Sequence, residues 1–369
     1  MGALGISIGM VRELRDHGGL RSRLRTRLNA PMIRLAQVSF VLLAVGLLGC
    51  STSKTDHAAV AVSAPEVPPP LAVEGTVYEF AAAVPLTPAA PEDHGALHNV
   101  FRLSASIVSG SEPHDLDALR QLQQWGIRTI LSVDGSEPMA QEAAALGMRY
   151  VHLPIQYKGI SEGEMLRIAK TFRELDGPFY VHCFHGKHRG PAAAAVGRVV
   201  LDGVGRDQAV AEMRQYCGTA QSYEGLYRAI ALEAIPDAGR TQALAFDFAP
   251  VSLPDGVVGT MVHISRSYDH MADLAKRDFE ADPAHPDVDA LNEAKKLVSN
   301  FRASAAFEEV QSGPADQLEW FRSSVVDSER LVEALRRYRA GAPAAKDEAK
   351  TAFASLKQTC MACHDLYRN

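Results

Sequence analysis

The sequence predicts two folded domains of different class: an α/β domain with a mainly parallel sheet flanked by helices, and an all-α four-helix bundle. Three observations lead there. Between residues 95 and 235, short β-type runs alternate with helical patterns. From Asp255 onward, four segments each carry one apolar face at helical spacing. The chain has 369 residues, more than one typical core accommodates.

The domain organisation read from these patterns is a signal region over 1–49, a tether over 50–94, the α/β domain over 95–235, a linker over 236–254 and the bundle over 255–369. Val38–Leu48 (VSFVLLAVGLL) is strongly apolar, too short to span a bilayer and of the right length for the apolar part of an export signal. Arginines 21, 23, 25, 27 and 34 precede it, and Leu47-Leu48-Gly49-Cys50 follows. That tetrapeptide resembles the bacterial lipoprotein cleavage box, which implies lipidation of Cys50 and an exported, periplasmic or outer-membrane-facing protein held to the membrane by its lipid alone. The other reading is an uncleaved anchor with an incidental cysteine. Met32 would give a more compact signal than Met1. Residues 51–75 are rich in Ser, Ala and Pro without apolar periodicity, as a flexible tether would be. A net charge of −6 leaves no basic footprint for nucleic acid.

In the α/β domain the strands fall at Val100–Leu103, Thr129–Val133, Tyr150–Pro154 and Phe179–His182, with helical patterns at Asp115–Trp125 and Gly163–Leu175. The chemistry gathers after the last strand, in His182-Cys183-Phe184-His185-Gly186-Lys187-His188-Arg189-Gly190. A cysteine separated by five residues from an arginine, between strand and helix, makes a cradle for an oxyanion. Loop amides can point inward, Gly186 permits a positive φ, the following helix offers its positive end, and Arg189 can clamp phosphate with two hydrogen bonds. The same field favours the thiolate of Cys183, a nucleophile.

His-Cys-x5-Arg with Gly three after the Cys, preceded by Val151-His152-Leu153-Pro154-Ile155, resembles the cysteine-based tyrosine and dual-specificity phosphatases over about residues 95–220. The resemblance implies a phosphocysteine intermediate on Cys183, phosphate binding by Phe184, His185, Gly186, Lys187, His188 and Arg189, and orientation of the loop by His182. Two features depart from the family. The loop Gln156-Tyr157-Lys158-Gly159-Ile160-Ser161-Glu162-Gly163-Glu164 lacks the Asp general acid, and Glu162 and Glu164 are the nearest substitutes or merely helix starters. Gly190 stands where a hydroxyl residue assists departure of the thiolate. The basic loop, with Lys187 placed as in lipid phosphatases of the superfamily, favours a multiply charged anion such as a phosphoinositide over plain phosphotyrosine. His185 and His188 either donate protons there or bond neighbouring loops. Cys217 is either a small buried hydrophobe or a thiol that resolves oxidised Cys183.

In the last domain the stripes are Met261, Ile264, Tyr268, Met271, Ala275; Leu291, Ala294, Val298, Phe301, Ala305; Leu318, Phe321, Val325, Val332, Leu335 with polar Ser328 between; and Phe353, Leu356, Cys360, Cys363, Tyr367. Cys360-Met361-Ala362-Cys363-His364 has haem-attachment spacing. Cysteines at i and i+3 share a helix face and reach both vinyl groups of one porphyrin, and the next residue, His364, then lies near iron. A redox CxxC lacks its βαβ context here, and a zinc site lacks a fourth ligand. With Arg368, these residues resemble the cytochrome c′ family over about 250–369. That implies covalent haem c, His364 as proximal ligand, Met261 as the candidate distal ligand (or a core methionine), a redox partner, and dimerisation through the bundle. His263 and His270 lie off the stripe and are expected to face solvent.

Two functions follow. One is a cysteine phosphatase acting on a phosphorylated protein, phosphoinositide or other anion and joined to a haem module. The other is an electron-transfer or redox/gas-sensing lipoprotein whose phosphatase-like domain only binds anions.

Overall fold

The computed structural model describes residues 65–252, 256–283 and 285–367; the signal region, Cys50 and Arg368 lie outside them. The elements run α1 Val77–Ala83, β1 Glu92–His94, β2 Leu97–Arg102, β3 Ile107–Gly110, α2 Leu116–Gln124, β4 Thr129–Ser132, α3 Ala140–Ala145, β5 Arg149–His152, α4 Glu162–Glu174, β6 Phe179–His182, α5 Arg189–Val200, α6 Arg206–Gln215, α7 Glu224–Ala231 and α8 Ala238–Ala243. The helical C-terminal region follows with α9 Gly256–Lys276, α10 Ala290–Ala306, a short α11 Glu308–Gln311, α12 Ala315–Arg339 and α13 Ala345–Tyr367.

The sheet has the order β1-β2-β3-β6-β4-β5, antiparallel across β1, β2 and β3 and parallel from β3 to β5. β3, β4 and β6 are buried on both faces, as the inner strands of a mostly parallel sheet are. Successive residues part to opposite cores. Ile130, Tyr150 and Tyr180 pack with Leu119 and Leu122 of α2, whereas Leu131, Val151 and Val181 pack with α4, α5 and α7. Parallel pairing brings the ends of β3, β4 and β6 level, with Gly110 and Ser132 both opposite His182. The carboxyl ends of these strands therefore frame the loop that starts at Cys183, the crevice where open α/β sheets place their ligands.

Residues 77–94 are not the tether the composition suggests. Val77 and Ala81 of α1 are buried in the core, and the Glu224 carboxylate accepts the amides of Val77 (2.7 Å) and Tyr78 (3.1 Å). Residues 236–252 of the expected linker are likewise packed: Phe246 and Phe248 lie on the core, and Ala249 O accepts His152 N at 3.0 Å. In the helical region all four long helices contribute to two apolar clusters. Met271, Ala294, Leu331 and Ala352 meet in one, and Ile264, Phe301, Phe321 and Leu356 in the other. Ser328, which interrupts the third stripe, is buried and bonds its own helix at Ser324 O (2.7 Å). The described residues form one compact unit.

Candidate active site

The loop from Cys183 to Arg189 is held open by its carbonyls. Phe184 O accepts Glu112 N (3.1 Å), His185 O accepts Asn99 Nδ2 (2.9 Å) and Lys187 O accepts Thr219 Oγ1 (2.7 Å). In a planar trans peptide the N–H points opposite to its carbonyl, so three oxygens tied outward turn the amides of His185, Gly186 and His188 inward. Gly186 has φ +73°, and a Cβ there would fall 2.3 Å from Gly110 C, so the loop passes the end of β3 only because this residue lacks a side chain. At Gly190, where the family pattern has a hydroxyl residue, a Cβ would sit 3.0 Å from Cys183 N, so α5 packs closely against the loop here.

His182 sits behind the nucleophile position. Its Nδ1 donates to Cys183 O (3.4 Å), and its Nε2 meets Tyr150 OH at 2.6 Å, an arrangement that makes Nε2 the acceptor. Burial pushes its pKa down to about 3, so it is a neutral positioning group. Burial likewise lowers His188 to about 3 and His185 to about 4. These two are therefore not the protonated donors that the basic loop suggests, and His188 Nδ1 instead accepts Ala220 N at 3.3 Å. Lys187 is exposed at the rim. Cys217 is buried, and burial raises its thiol far above the usual range.

Arg189 is buried, and its Nη2 binds two partners, the Asp134 carboxylate and Tyr157 OH (2.7 Å). Asp134, just past β4, also accepts Phe184 N (3.3 Å) and Asn292 Nδ2 (3.3 Å). Burial alone would raise its carboxyl, but Arg189 and Lys296 outweigh that and hold it well below the usual range. Nε of Arg189 is buried with no hydrogen-bond partner, a donor left for something that is not protein. Asp134 was not singled out from sequence; its only signal was its place after a strand end, before Gly135.

The acids expected near Ile155 are spent elsewhere. Glu164 closes a capping box with Ser161 at the start of α4, and Glu162, largely exposed, pairs with Arg240. In their stead the helical region brings its own groups over the loop. Asp287 Oδ1 lies 3.9 Å from His188 Nε2, and Tyr157 OH donates to Asp287 O (3.3 Å). Asp289 caps α10 and pairs with Arg339, with His185 at 3.7 Å. Lys295 pairs with Glu112 (2.7 Å), and Ser299 Oγ accepts Glu137 N (3.1 Å). Cys183 is left 4% exposed. His263 and His270 do not simply face solvent: with Arg266, Lys296 and Arg189 they line a cavity of about 60 Å³ between the helices and the sheet.

At the other end of the helical region, Cys360, Cys363 and His364 line a cavity of about 430 Å³ with Met261, Ile264, Tyr268, Phe301, Trp320 and Phe321. Trp320 Nε1 is buried there with no partner. Two free thiols, an imidazole, a facing thioether and an unused indole donor around a mostly apolar space fit a covalently held porphyrin. Among the described residues, no cluster of three or more His, Cys, Asp or Glu could hold a bare metal ion.

The family described as PTP-SAK, Swiss Army Knife protein, DSP-PTPase phosphatase domain, matches residues 103–233. The dual specificity protein phosphatase TpbA of Pseudomonas aeruginosa is 26% identical over 143 residues, 38% of this chain, and TpbA of a second strain is 26% identical over 118 residues. The chain spans 65% and 53% of the lengths of these curated relatives. The crystal structure of P. aeruginosa TpbA is 20% identical, covering 42% of this chain and 94% of that one, with a TM-score of 0.35. That of PTPMT1 in complex with PI(5)P is 16% identical over 36% and 94%, with a TM-score of 0.30. Residues 103–233 thus form a DSP-PTPase-like phosphatase domain, related to TpbA.

Proposed function

We propose that this chain is an exported, lipid-anchored cysteine phosphatase whose helical region, a four-helix bundle of the cytochrome c′ kind, carries covalent haem c. The observation that carries the phosphatase reading is the loop itself: three carbonyls tied outward and, beside them, the buried, unpartnered Nε of Arg189. A phosphate in that cradle accepts from the inward amides and from Arg189, whose orientation Asp134 and Tyr157 fix in advance. The Cys183 thiolate attacks phosphorus, the ester P–O bond breaks, and phosphocysteine forms. Water then cleaves the S–P bond, returning thiolate and inorganic phosphate. With no hydroxyl at Gly190, the second half has less help, and general acid–base help is typically worth about a hundred- to ten-thousand-fold.

Substrates bearing more than one negative charge suit the surroundings best. Arg266 and Lys296 stand with Arg189 around the adjoining cavity, where Glu293, the one carboxylate among the lining residues, pairs with Lys296 at 2.8 Å. A phosphoinositide or another multiply phosphorylated anion meets that description, as PI(5)P bound to PTPMT1 does for that relative.

In the haem cavity, Cys360 and Cys363 would hold the porphyrin through thioethers, His364 would be the proximal ligand and Met261 the distal candidate. The haem would supply one-electron exchange or gas binding. The chain's own part is to exclude water with Ile264, Phe301 and Phe321 and to offer Trp320 Nε1 as a donor.

The test compares aryl phosphate and phosphoinositide hydrolysis by the full chain and by Cys183→Ser. Hydrolysis lost in the variant supports the enzyme; equal release in both leaves the anion-binding alternative. Expression in a host that matures c-type cytochromes should give a red protein whose colour survives denaturation, and a colourless product would overturn the haem.

A further inference from the structure

The most telling group outside the loop is a buried carboxyl with nothing to do. Asp287 lies in the turn before α10, where Val288 N donates to His285 O (3.1 Å), and its own carbonyl is gripped by Tyr157 OH. The residue is 4% exposed, yet neither side-chain oxygen has a hydrogen-bond partner. It does not plug the cradle, because it accepts none of the loop amides; Asp134 is the carboxylate that accepts Phe184 N. It faces His188 Nε2 instead, the ring nitrogen left to carry the proton once Nδ1 accepts from Ala220.

We propose that Asp287, carried by the helical region, is the general acid of the phosphatase site, taking the place of the aspartate missing from the Gln156–Glu164 loop. This rests on the phosphatase reading. As Cys183 attacks, the leaving oxygen takes the proton of the Asp287 carboxyl while its bond to phosphorus breaks. The resulting carboxylate then takes a proton from the water that attacks phosphocysteine, and the Cys183 thiolate departs. Burial raises the Asp287 carboxyl, against the opposing pull of Tyr157, Arg189 and Lys296, which suits a group that must carry a proton. The charged and titratable groups around it are His188, Arg189 and Tyr157 from the phosphatase domain, and His285, Asp289 and Lys296 from the helical region. The helical region would then complete the active site as well as cover it.

Asp287→Asn keeps the shape of the side chain and removes the proton. It should lower kcat by roughly a hundredfold or more on phenyl phosphate, and far less on p-nitrophenyl phosphate, whose leaving group needs no proton. The alkaline limb of the wild-type kcat profile should vanish in the variant, and Asp287→Glu should regain part of the rate. The leaving-group dependence of the wild type is a second measurement that needs no variant: shallow if the enzyme supplies the proton. If Asp287→Asn keeps the phenyl phosphate rate and the alkaline limb, or if the wild-type dependence is already steep, the proposal falls while the phosphatase stands. If the wild type hydrolyses neither ester faster than Cys183→Ser, the underlying reading falls.

Discussion

A Cβ on Gly186 would lie 2.3 Å from Gly110 C and 2.5 Å from Ser111 N, in a residue already at φ +73°. Both obstacles are backbone, so neither can swing aside. Gly186→Ala should cost roughly 2–4 kcal/mol from strain and overpacking combined. Urea unfolding reads that cost directly, and an unchanged midpoint would mean the loop takes another path. At this scale the sequence was informative where spacing dictates chemistry: Cys183, Gly186 and Arg189 fall where strand, loop and helix require them. It was silent about Asp134 and Asp287. No local pattern marks an aspartate whose partner lies 55 residues away, as Arg189 does from Asp134, or one presented by a different part of the chain.

The histidines in and beside the loop are neutral, so its positive charge rests on Lys187 and Arg189. Burial depresses His182 and His188 to about 3 and His185 to about 4 in the folded chain, against 6.5 when unfolded. Between those values the unfolded state binds more protons, so the stability these residues contribute is complete above about pH 6.5 and is lost as pH falls toward 4 and 3. Each can contribute a slope of at most about 1.4 kcal/mol per pH unit, less for the partly exposed His185. The urea midpoint should therefore drop steadily from pH 6.5 to 4.5; a flat response would show that these rings gain water or carboxylate partners. Strand and helix positions were legible from periodicity, as in Thr129–Ser132 and Phe179–His182. α1 was misjudged, as was the packed stretch that holds α8. Seven residues after a Pro-rich run carry too little pattern to announce a helix, and its burial depends on Glu224, 147 residues from Val77.

In the whole molecule, the loop lies beneath α10, and the ion pair of Lys295 with Glu112 is one of the ties across that boundary. Lys295→Glu sets two carboxylates against each other. It should speed alkylation of Cys183 by iodoacetamide roughly tenfold, equivalent to about 1.4 kcal/mol of lost closure. Peptide mapping distinguishes this thiol from the others, and an unaltered rate would mean the cover does not control access. That two regions join into one unit was not legible, because docking surfaces such as Asn292 and Ser299 carry no periodicity of their own. The central claim is that Cys183 is a nucleophile toward phosphorus, and rapid-quench intact mass measurement during turnover tests it most directly. The wild type should gain one phosphoryl group, mapped to Cys183, and Cys183→Ser should turn over no substrate. Phosphate release without any adduct, at equal rates in both proteins, would contradict it.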